Sequence, residues 1–169
     1  LWPWTRILRD CLAEIEWTEP EHVPPLREAL TPLLSLGGCS DEPAVGEAAR
    51  YRMFDAVRET IARVAEKRAR LLVLDDLQYA DPTSLELLAF LATQIDHIPV
   101  MLLCTWTPEV VLQHSPAEAL RKRLDASLPA QVITVPGLDA QAIARWVEQQ
   151  HGDINLAPSL WERTGGNPL

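Results

Sequence analysis

Two adjacent aspartates directly follow an apolar run in the stretch RLLVLDDLQYADPTSLELL, residues 70–88. The apolar residues 71–74 predict a buried strand, and the leucine spacing farther on predicts an amphipathic helix over residues 82–95. Asp75 and Asp76 would then stand at the carboxyl end of the strand, the edge at which open α/β sheets bind their ligands. Because an ionised carboxylate is costly to bury without a cation or good donors, this edge is the candidate functional site.

Strand and helix patterns alternate along most of the chain, which indicates an α/β fold with a parallel sheet. Further apolar runs predict strands at residues 99–106 and 131–135, and their apolar character at every position predicts strands covered on both faces. A proline-rich connection over residues 16–46 is expected to hold one short helix at residues 26–36. Other helices are predicted at residues 4–15, 47–68, 116–126, 140–150 and 158–163.

Composition argues against several classes of function. The net charge is −9, and Lys67 and Lys122 are the only lysines, so the chain lacks the clustered cations that bind nucleic-acid phosphates. No apolar run approaches the roughly 18–20 residues of a membrane-spanning helix, and the N-terminus does not resemble a signal peptide. Three widely spaced cysteines without a CxxC pair favour reduced thiols in a cytoplasmic protein over a zinc site or disulfides.

Asp81 has a different predicted role from the aspartate pair. It precedes Pro82, and proline is favoured at the first position of a helix, so Asp81 is predicted to cap the helix rather than to act in catalysis. On the residues alone, the aspartate pair has two interpretations. It belongs either to a cation site at the sheet edge or to a turn in which one carboxylate caps the next segment.

The segment LLVLDDLQYADPTSLELLAFL closely resembles the Walker B region of bacterial signal-transduction ATPases with numerous domains, the STAND class. More narrowly, it is similar to the AAA-type ATPase module of LuxR-family and AfsR-like transcriptional regulators, which also occurs beside adenylate cyclase domains. WPWTRILRDCL resembles the helix after the P-loop of that family, RYRMFDAVRETI resembles its long helix before Walker B, and ERTGGNPL resembles its GxP motif. These landmarks occur in the family's order over nearly the whole chain.

The resemblance implies a fold and a division of the chain. Residues 1–138 would form a three-layer, P-loop NTPase-like α/β core with a parallel sheet and the Walker B segment. Its N-terminal strand and P-loop would be missing, because no G-x-x-x-x-G-K-[ST] pattern occurs in the sequence. We expect that loop to lie upstream of residue 1. Residues 139–169 would begin a helical lid subdomain that carries the GxP motif.

The resemblance also implies site residues and cofactors. Asp75 would hold Mg²⁺, and Asp76 would be the catalytic residue that orients or deprotonates the attacking water. The nucleotide, ATP or ADP, would contact Thr105 in the sensor strand and Pro168 in the GxP motif.

The chain departs from the family pattern at two places. Thr107 stands where the family has an arginine that reaches the γ-phosphate, and a threonine cannot supply a cationic fork. Gln78 and Tyr79 replace the usual His-Trp pair, so that a polar amide stands where the family has a titratable ring. A γ-phosphate contact from an arginine at position 107 is therefore not expected in this chain.

The principal hypothesis is a nucleotide-binding switch of a cytoplasmic bacterial signal-transduction or transcription regulator. The parent protein would bind Mg-ATP and hydrolyse it slowly, whereas this chain alone is not expected to hydrolyse ATP. Its partners would be the nucleotide, the rest of the parent chain and other copies of itself, with no direct nucleic-acid or membrane contact. Two alternatives stay open: a non-catalytic scaffold of the same fold for protein–protein interaction, and a plain α/β enzyme with a two-carboxylate metal site.

Overall fold

The structure, a computed structural model, divides the chain into two compact units, Leu1–Ala130 and Gln131–Leu169. The first unit contains the strands and the aspartate pair. Among the described residues, no helix is both long and apolar enough to cross a membrane. The predicted functional division between residues 138 and 139 stays a prediction. The residues that the structure describes are 2–15, 28–31, 33–34, 46–107, 116–127, 131–150 and 152–167.

The helices and strands described in the first unit lie at positions where hydrophobic periodicity predicts them. Residues 28–31 and 33–34 are also helical, inside the helix predicted at residues 26–36. In chain order the elements are α1 (Trp2–Glu14), α2 (Glu47–Lys67), β1 (Arg70–Leu74), a 3-10 turn (Leu77–Tyr79), α3 (Pro82–Ala92), β2 (Val100–Cys104) and α4 (Pro116–Ser127).

β1 and β2 form a parallel two-stranded sheet, with α3 in the connection between them. In the register of the pair, Arg70 lies opposite Val100 and Leu74 lies opposite Cys104. Parallel strands require a crossover connection, and a helix is the usual form of it. This arrangement confirms the predicted α/β fold, but the described residues contain only these two strands and do not form the predicted three-layer core.

Only one face of this sheet is covered by the described part of the chain. Leu72 and Leu74 are buried, whereas the side chains on the opposite face are exposed to solvent. The prediction of strands covered on both faces is therefore wrong for these residues. Apolar composition makes a strand suitable for burial, but coverage depends on which elements pack on each face. The exposed fractions are 57% for Leu71, 50% for Val73, 62% for Met101 and 42% for Leu103.

The covered face of the sheet packs against helices to form the core of the first unit. The indole Nε1 of Trp4 donates to the carbonyl oxygen of Ser84 at 3.1 Å, which joins α1 to the first turn of α3. Burial of a large apolar side chain contributes about 1.5–3 kcal/mol, so this packing is the main support of β1. The largest fully buried apolar side chains are Trp4, Leu8, Leu30, Leu33, Ile61, Leu74, Leu87, Leu88, Leu91, Val57 and Val64.

The second unit is helical in its described part. Its helices are α5 (Ala140–Gln149) and α6 (Ala157–Thr164), with a 3-10 turn at Ile154–Leu156 between them. Asp139 caps α5 by accepting a hydrogen bond from the Ala142 N–H at 2.6 Å. The buried side chains that hold the two helices together are Ile143, Val147 and Ala157.

The third strand that the sequence predicts is not formed. Residues 131–139 have no regular secondary structure and are exposed, and they include the apolar run at 131–135. A strand is stable only when a neighbouring strand pairs with it. The strand prediction is therefore wrong for these residues, because apolar character makes a run suited to a strand but does not show whether a neighbouring strand pairs with it.

Arg70, the first residue of β1, connects the strand to the ends of both preceding helices. Its guanidinium donates to the two carboxylate oxygens of Glu14 at 2.6 and 3.1 Å, and to the carbonyl oxygen of Val64 at 2.9 and 3.1 Å. The hydrogen bond from Arg70 holds the pKa of Glu14 below its usual value of 4.5. The entry of the chain into β1 is thus fixed by contacts to α1 and α2.

We predict that the Glu14–Arg70 pair makes the first unit sensitive to acid. The folded-state pKa of Glu14 lies below its usual value, so its contribution to stability is present above pH 4.5 and is lost as the pH falls through the folded pKa. The free energy of unfolding of a Glu14→Gln variant should therefore fall less steeply than that of the wild type between about pH 6 and pH 3.

Urea unfolding at a series of pH values measures this difference. A Glu66→Gln variant is the matched control, because Glu66 is an exposed glutamate on α2. Equal pH slopes for the wild type and the Glu14→Gln variant would contradict the prediction.

Candidate functional site

The two strands end side by side, and the backbone continues to pair just beyond them. The Thr105 N–H donates to the carbonyl oxygen of Leu74 at 3.0 Å, and the Leu77 N–H donates to the carbonyl oxygen of Thr105 at 2.9 Å. These hydrogen bonds hold the segment that contains Asp75 and Asp76 against the segment that follows β2. The candidate site is therefore a single cluster with polar groups from both strand ends.

The hydroxyl group of Thr105 contacts both aspartates. Its Oγ1 donates to Asp75 Oδ1 and accepts a hydrogen bond from the Asp76 N–H at 3.0 Å. The structure thus brings together three of the four residues to which the resemblance assigned a role in the nucleotide site. It shows Thr105 engaged with the acidic residues themselves, while its contact with a nucleotide stays a prediction.

Asp76 has a left-handed backbone conformation, with φ 55° and ψ 48°. Among the described residues, it is the only one other than glycine with a positive φ. This conformation costs an ordinary residue roughly 1–2 kcal/mol, and aspartate and asparagine tolerate it better than most. The chain therefore changes direction at Asp76, after β1, and enters the 3-10 turn that contains Gln78.

Gln78 connects the turn after β1 to the segment after β2. Its Nε2 donates to Asp76 Oδ1 at 2.8 Å, and its Oε1 accepts a hydrogen bond from the Thr107 N–H at 3.1 Å. The sequence marked Gln78 and Thr107 only as departures from a family pattern, so this link was missed. No local signal could have found it, because the two residues are 29 positions apart.

Each aspartate of the pair has one carboxylate oxygen in a hydrogen bond, Asp75 Oδ1 to Thr105 and Asp76 Oδ1 to Gln78. Neither Oδ2 atom has a donor in the part of the chain that the structure describes. That part also contains no group of three or more His, Cys, Asp or Glu residues that would hold a metal by itself. Mg²⁺ is commonly bound by one or two carboxylates together with water and substrate phosphates. The donor set therefore fits a magnesium ion that is shared with phosphate groups.

Asp81 is a helix cap, as predicted. Its carboxylate accepts hydrogen bonds from the Ser84 N–H at 2.9 Å and from the Ser84 hydroxyl at 2.7 Å. Burial raises the pKa of Asp81, but the hydrogen bonds that it accepts, among them those from Ser84, outweigh burial and lower the pKa below 3.8. Asp81 therefore stays ionised at the start of α3, where it fixes the first turn of the helix.

Cys104, the last residue of β2, adds no nucleophile to the site. It is a free cysteine, and burial raises its pKa to about 11. Cys11 is also free and buried, and burial likewise raises its pKa. Because the thiolate is the reactive form and the metal-binding form, both side chains are unreactive at neutral pH.

The GxP region follows α6 in the second unit. The helix ends at Thr164, and Gly165 has φ 60° and ψ 22°, the left-handed conformation with which helices commonly end. Gly165 therefore marks the end of α6. Pro168 lies outside the described residues, so its assigned contact with the nucleotide stays a prediction.

Gly166 and Gly137 lie in close backbone contact within the second unit. The Leu138 N–H donates to the carbonyl oxygen of Gly166 at 2.8 Å. A Cβ added at Gly166 would lie 2.2 Å from the Leu138 carbonyl oxygen, and one added at Gly137 would lie 2.5 Å from the carbonyl oxygen of Gly165. Sequence reasoning missed this contact. The three glycines in the motifs PGLD and TGGNP were the available signal, but the pattern does not show which glycines meet.

The two glycines of TGGNP should differ in their tolerance of a side chain. Both have a positive φ, but a Cβ at Gly165 would meet open space. We expect Gly165→Ala to lower the free energy of unfolding of the second unit by about 1 kcal/mol. Gly166→Ala should cost at least about 3 kcal/mol, because backbone atoms must also move. Urea unfolding and amide exchange at Leu138 measure both effects, and equal losses would contradict the packing described above.

The Thr105 hydroxyl should contribute to stability through its two contacts with the aspartates. Thr105→Val removes that hydroxyl and should lower the free energy of unfolding by about 1 kcal/mol, whereas Thr105→Ser should change it by less than about half as much. Thr93→Val is the matched control, because the Thr93 hydroxyl donates only within its own helix end, to Phe90. A Thr105→Val variant that loses no more stability than Thr93→Val would contradict this role of the Thr105 hydroxyl.

Comparison with known proteins assigns the chain to a family. The family described as AAA ATPase domain matches residues 1–103, more than half of the 169-residue chain. The match contains Asp75, Asp76 and Gln78 and ends before Thr105. Neither the curated proteins nor the solved structures gave a significant match. The chain therefore belongs to the AAA ATPase domain family, whose members are nucleotide-binding ATPases.

Proposed function

We propose that this chain forms the carboxylate side of the nucleotide site in an ATP-dependent switch of a bacterial signal-transduction or transcription regulator. The observation that carries the proposal is the aspartate pair at the sheet edge, with one available oxygen on each of Asp75 and Asp76, in a chain of an ATPase family. The resemblance to STAND ATPases and to LuxR-family and AfsR-like regulators supports the regulatory context.

Asp75 is the residue that would hold Mg²⁺. Its carboxylate follows β1 directly, and the hydrogen bond from Thr105 restrains one of its two oxygens. When bound, Mg²⁺ would neutralise charge on the β- and γ-phosphates of ATP. Because two carboxylates do not fill a magnesium coordination shell, phosphate oxygens and water would supply the other ligands.

Asp76 would act on the attacking water. Gln78 restrains its Oδ1, which leaves Oδ2 as the acceptor for a proton or a hydrogen bond of that water. A carboxylate held in this way both orients the water and accepts its proton. Thr107 supplies no cation at the position where the resemblance expects an arginine, which favours slow hydrolysis. Slow hydrolysis suits a switch, since the bound nucleotide determines the state of the protein.

The other groups of the nucleotide site would come from the rest of the parent protein. The phosphate-binding loop does not occur in the 169 residues, and Pro168 with the lid would contact the adenine base. In the full regulator, exchange or hydrolysis of ATP would change the contacts of this module with the lid, the output domain and other copies of the chain. We place this switch in the cytoplasm, in keeping with the cysteine content.

A non-catalytic scaffold of the same fold is the second candidate. Thr107 favours it, because a site that never stabilises a transferring γ-phosphate has no need of an arginine there. In that case the aspartate pair would serve only to order the sheet edge through Thr105 and Gln78.

A Mn²⁺ titration in the presence of ATP tests the proposal on the chain itself. Mn²⁺ replaces Mg²⁺ at carboxylate sites and is observed directly by electron paramagnetic resonance. We expect weak binding to the wild-type chain and about tenfold weaker binding to Asp75→Asn, because one ionised ligand is lost. We also expect no release of phosphate, because the chain contains no phosphate-binding loop.

Asp96→Asn is the matched control, since Asp96 is an exposed aspartate in the turn between α3 and β2. Equal affinities of the wild type and Asp75→Asn would contradict the assignment of Asp75. Absence of ATP-dependent Mn²⁺ binding to the folded wild type would favour the scaffold. Binding of Mn²⁺ that ATP does not strengthen would favour a plain two-carboxylate metal enzyme.

A further inference from the structure

We infer that Gln78 is a positioning residue for Asp76. Its side chain holds the carboxylate of Asp76 in the orientation that a bound cation and its water require. Two hydrogen bonds of the Gln78 amide group support this role. Its nitrogen donates to Asp76 Oδ1, and its oxygen accepts a hydrogen bond from the Thr107 N–H. Its importance for metal binding rests on the function proposed above, whereas its effect on the geometry of the site does not.

The chemistry of the amide matches this position in one orientation only. An amide nitrogen donates and does not accept, and an amide oxygen accepts and does not donate. At Gln78 the nitrogen faces a carboxylate and the oxygen faces a backbone N–H, so both ends are satisfied. A glutamate would place a negative charge against Asp76, and an apolar residue would leave both groups without this partner.

The backbone of Asp76 explains why a second restraint is needed. Its left-handed conformation, φ 55°, is not a low-energy state for most residues, and the Asp76 N–H is held by Thr105. Thr105 therefore restrains the backbone of Asp76, while Gln78 restrains its side chain. The two contacts lead to residues 105 and 107 of one segment, so that the segment after β2 sets the position of the whole second aspartate.

The side-chain restraint also decides which oxygen of Asp76 is available. With Oδ1 occupied by Gln78, Oδ2 is the oxygen without a donor in the described part of the chain. Loss of Gln78 would allow the carboxylate to rotate about its χ angles and spread over several orientations. We therefore expect a lower affinity for a cation without any loss of charge at the site.

A double-mutant cycle between Gln78 and Asp76 tests the inference. Gln78→Met keeps the length of the side chain and removes both hydrogen bonds, and Asp76→Asn keeps a residue that tolerates the left-handed backbone. In the wild-type background, Gln78→Met should weaken the binding of Mn²⁺ with ATP by about tenfold. In the Asp76→Asn background, the same change should weaken it by less than about twofold, because the carboxylate through which Gln78 acts is gone.

The matched control is Gln94→Met, at an exposed glutamine that follows α3, and it should leave binding unchanged. A merely structural role would lower affinity by a similar factor in both backgrounds, since misfolding does not depend on the charge at position 76. That result would overturn the inference, as would an unchanged affinity of Gln78→Met in the wild-type background.

Amide exchange without metal or nucleotide separates failure of this inference from failure of the proposed function. Gln78→Met should accelerate exchange of the Thr107 N–H by roughly fivefold or more, with exchange in the β1–β2 ladder unchanged. If wild type binds no Mn²⁺ with ATP, the proposed function fails for this chain, and the exchange experiment still tests whether Gln78 is anchored to the segment after β2, which the inference requires. Unchanged exchange at Thr107 would overturn the inference in either case.

Discussion

In-register parallel pairing places Leu74 of β1 opposite Cys104 of β2, so that the residues after both strands leave the sheet at the same edge. Every polar contact of the candidate site that joins the two strand ends depends on this geometry. Thr105 reaches Asp75 and Asp76 because it is the first residue after β2, and the Thr107 N–H reaches Gln78 from two residues farther on. A shift of the register by one residue would turn each side chain to the opposite face of the sheet and would separate all of these groups.

The contacts that stabilise β1 and the contacts that form the candidate site lie at opposite ends of the strand. At its start, Arg70 binds Glu14 and the Val64 carbonyl group, and so joins the strand to both preceding helices. Along its length, one face packs on a core of large apolar side chains, which is the dominant favourable term. The polar contacts at its end are few and partly exposed, so they contribute modestly to folding. Their effect is to place two carboxylates.

Local signals were sufficient for the described helices, for β1 and β2 and for the capping of α3. Asp81 before Pro82 predicted the start of that helix, and the structure has the cap in place. The sheet-edge position of Asp75 and Asp76 followed from the apolar run before them. What local signals lack is the identity of distant partners. The Gln78–Thr107 contact and the packing of Gly137 on Gly166 depend on segments far apart in sequence, and so does whether residues 131–135 find a strand to pair with.

The exposed face of the sheet shows that local composition does not predict burial either. Leu71 and Val73 have the composition of buried strand residues, and the sequence gives no reason to distinguish them from Leu72 and Leu74. Burial alternates because the described helices pack on one side only. Composition can therefore predict that a residue is suited to burial, whereas the packing of other elements decides whether it is buried.

Because the backbone at Asp76 is left-handed, a residue at this position has to meet two separate criteria. It must tolerate that backbone conformation, and it must supply the carboxylate. A glutamate would conserve the charge but would lie in a backbone conformation that it tolerates less well than aspartate does, with its carboxylate one bond farther from the chain. Glycine would relax the backbone fully and remove the carboxylate. In a library of all substitutions at position 76, tolerance for folding and tolerance for ligand binding would thus follow different orders, and aspartate alone would stand high in both.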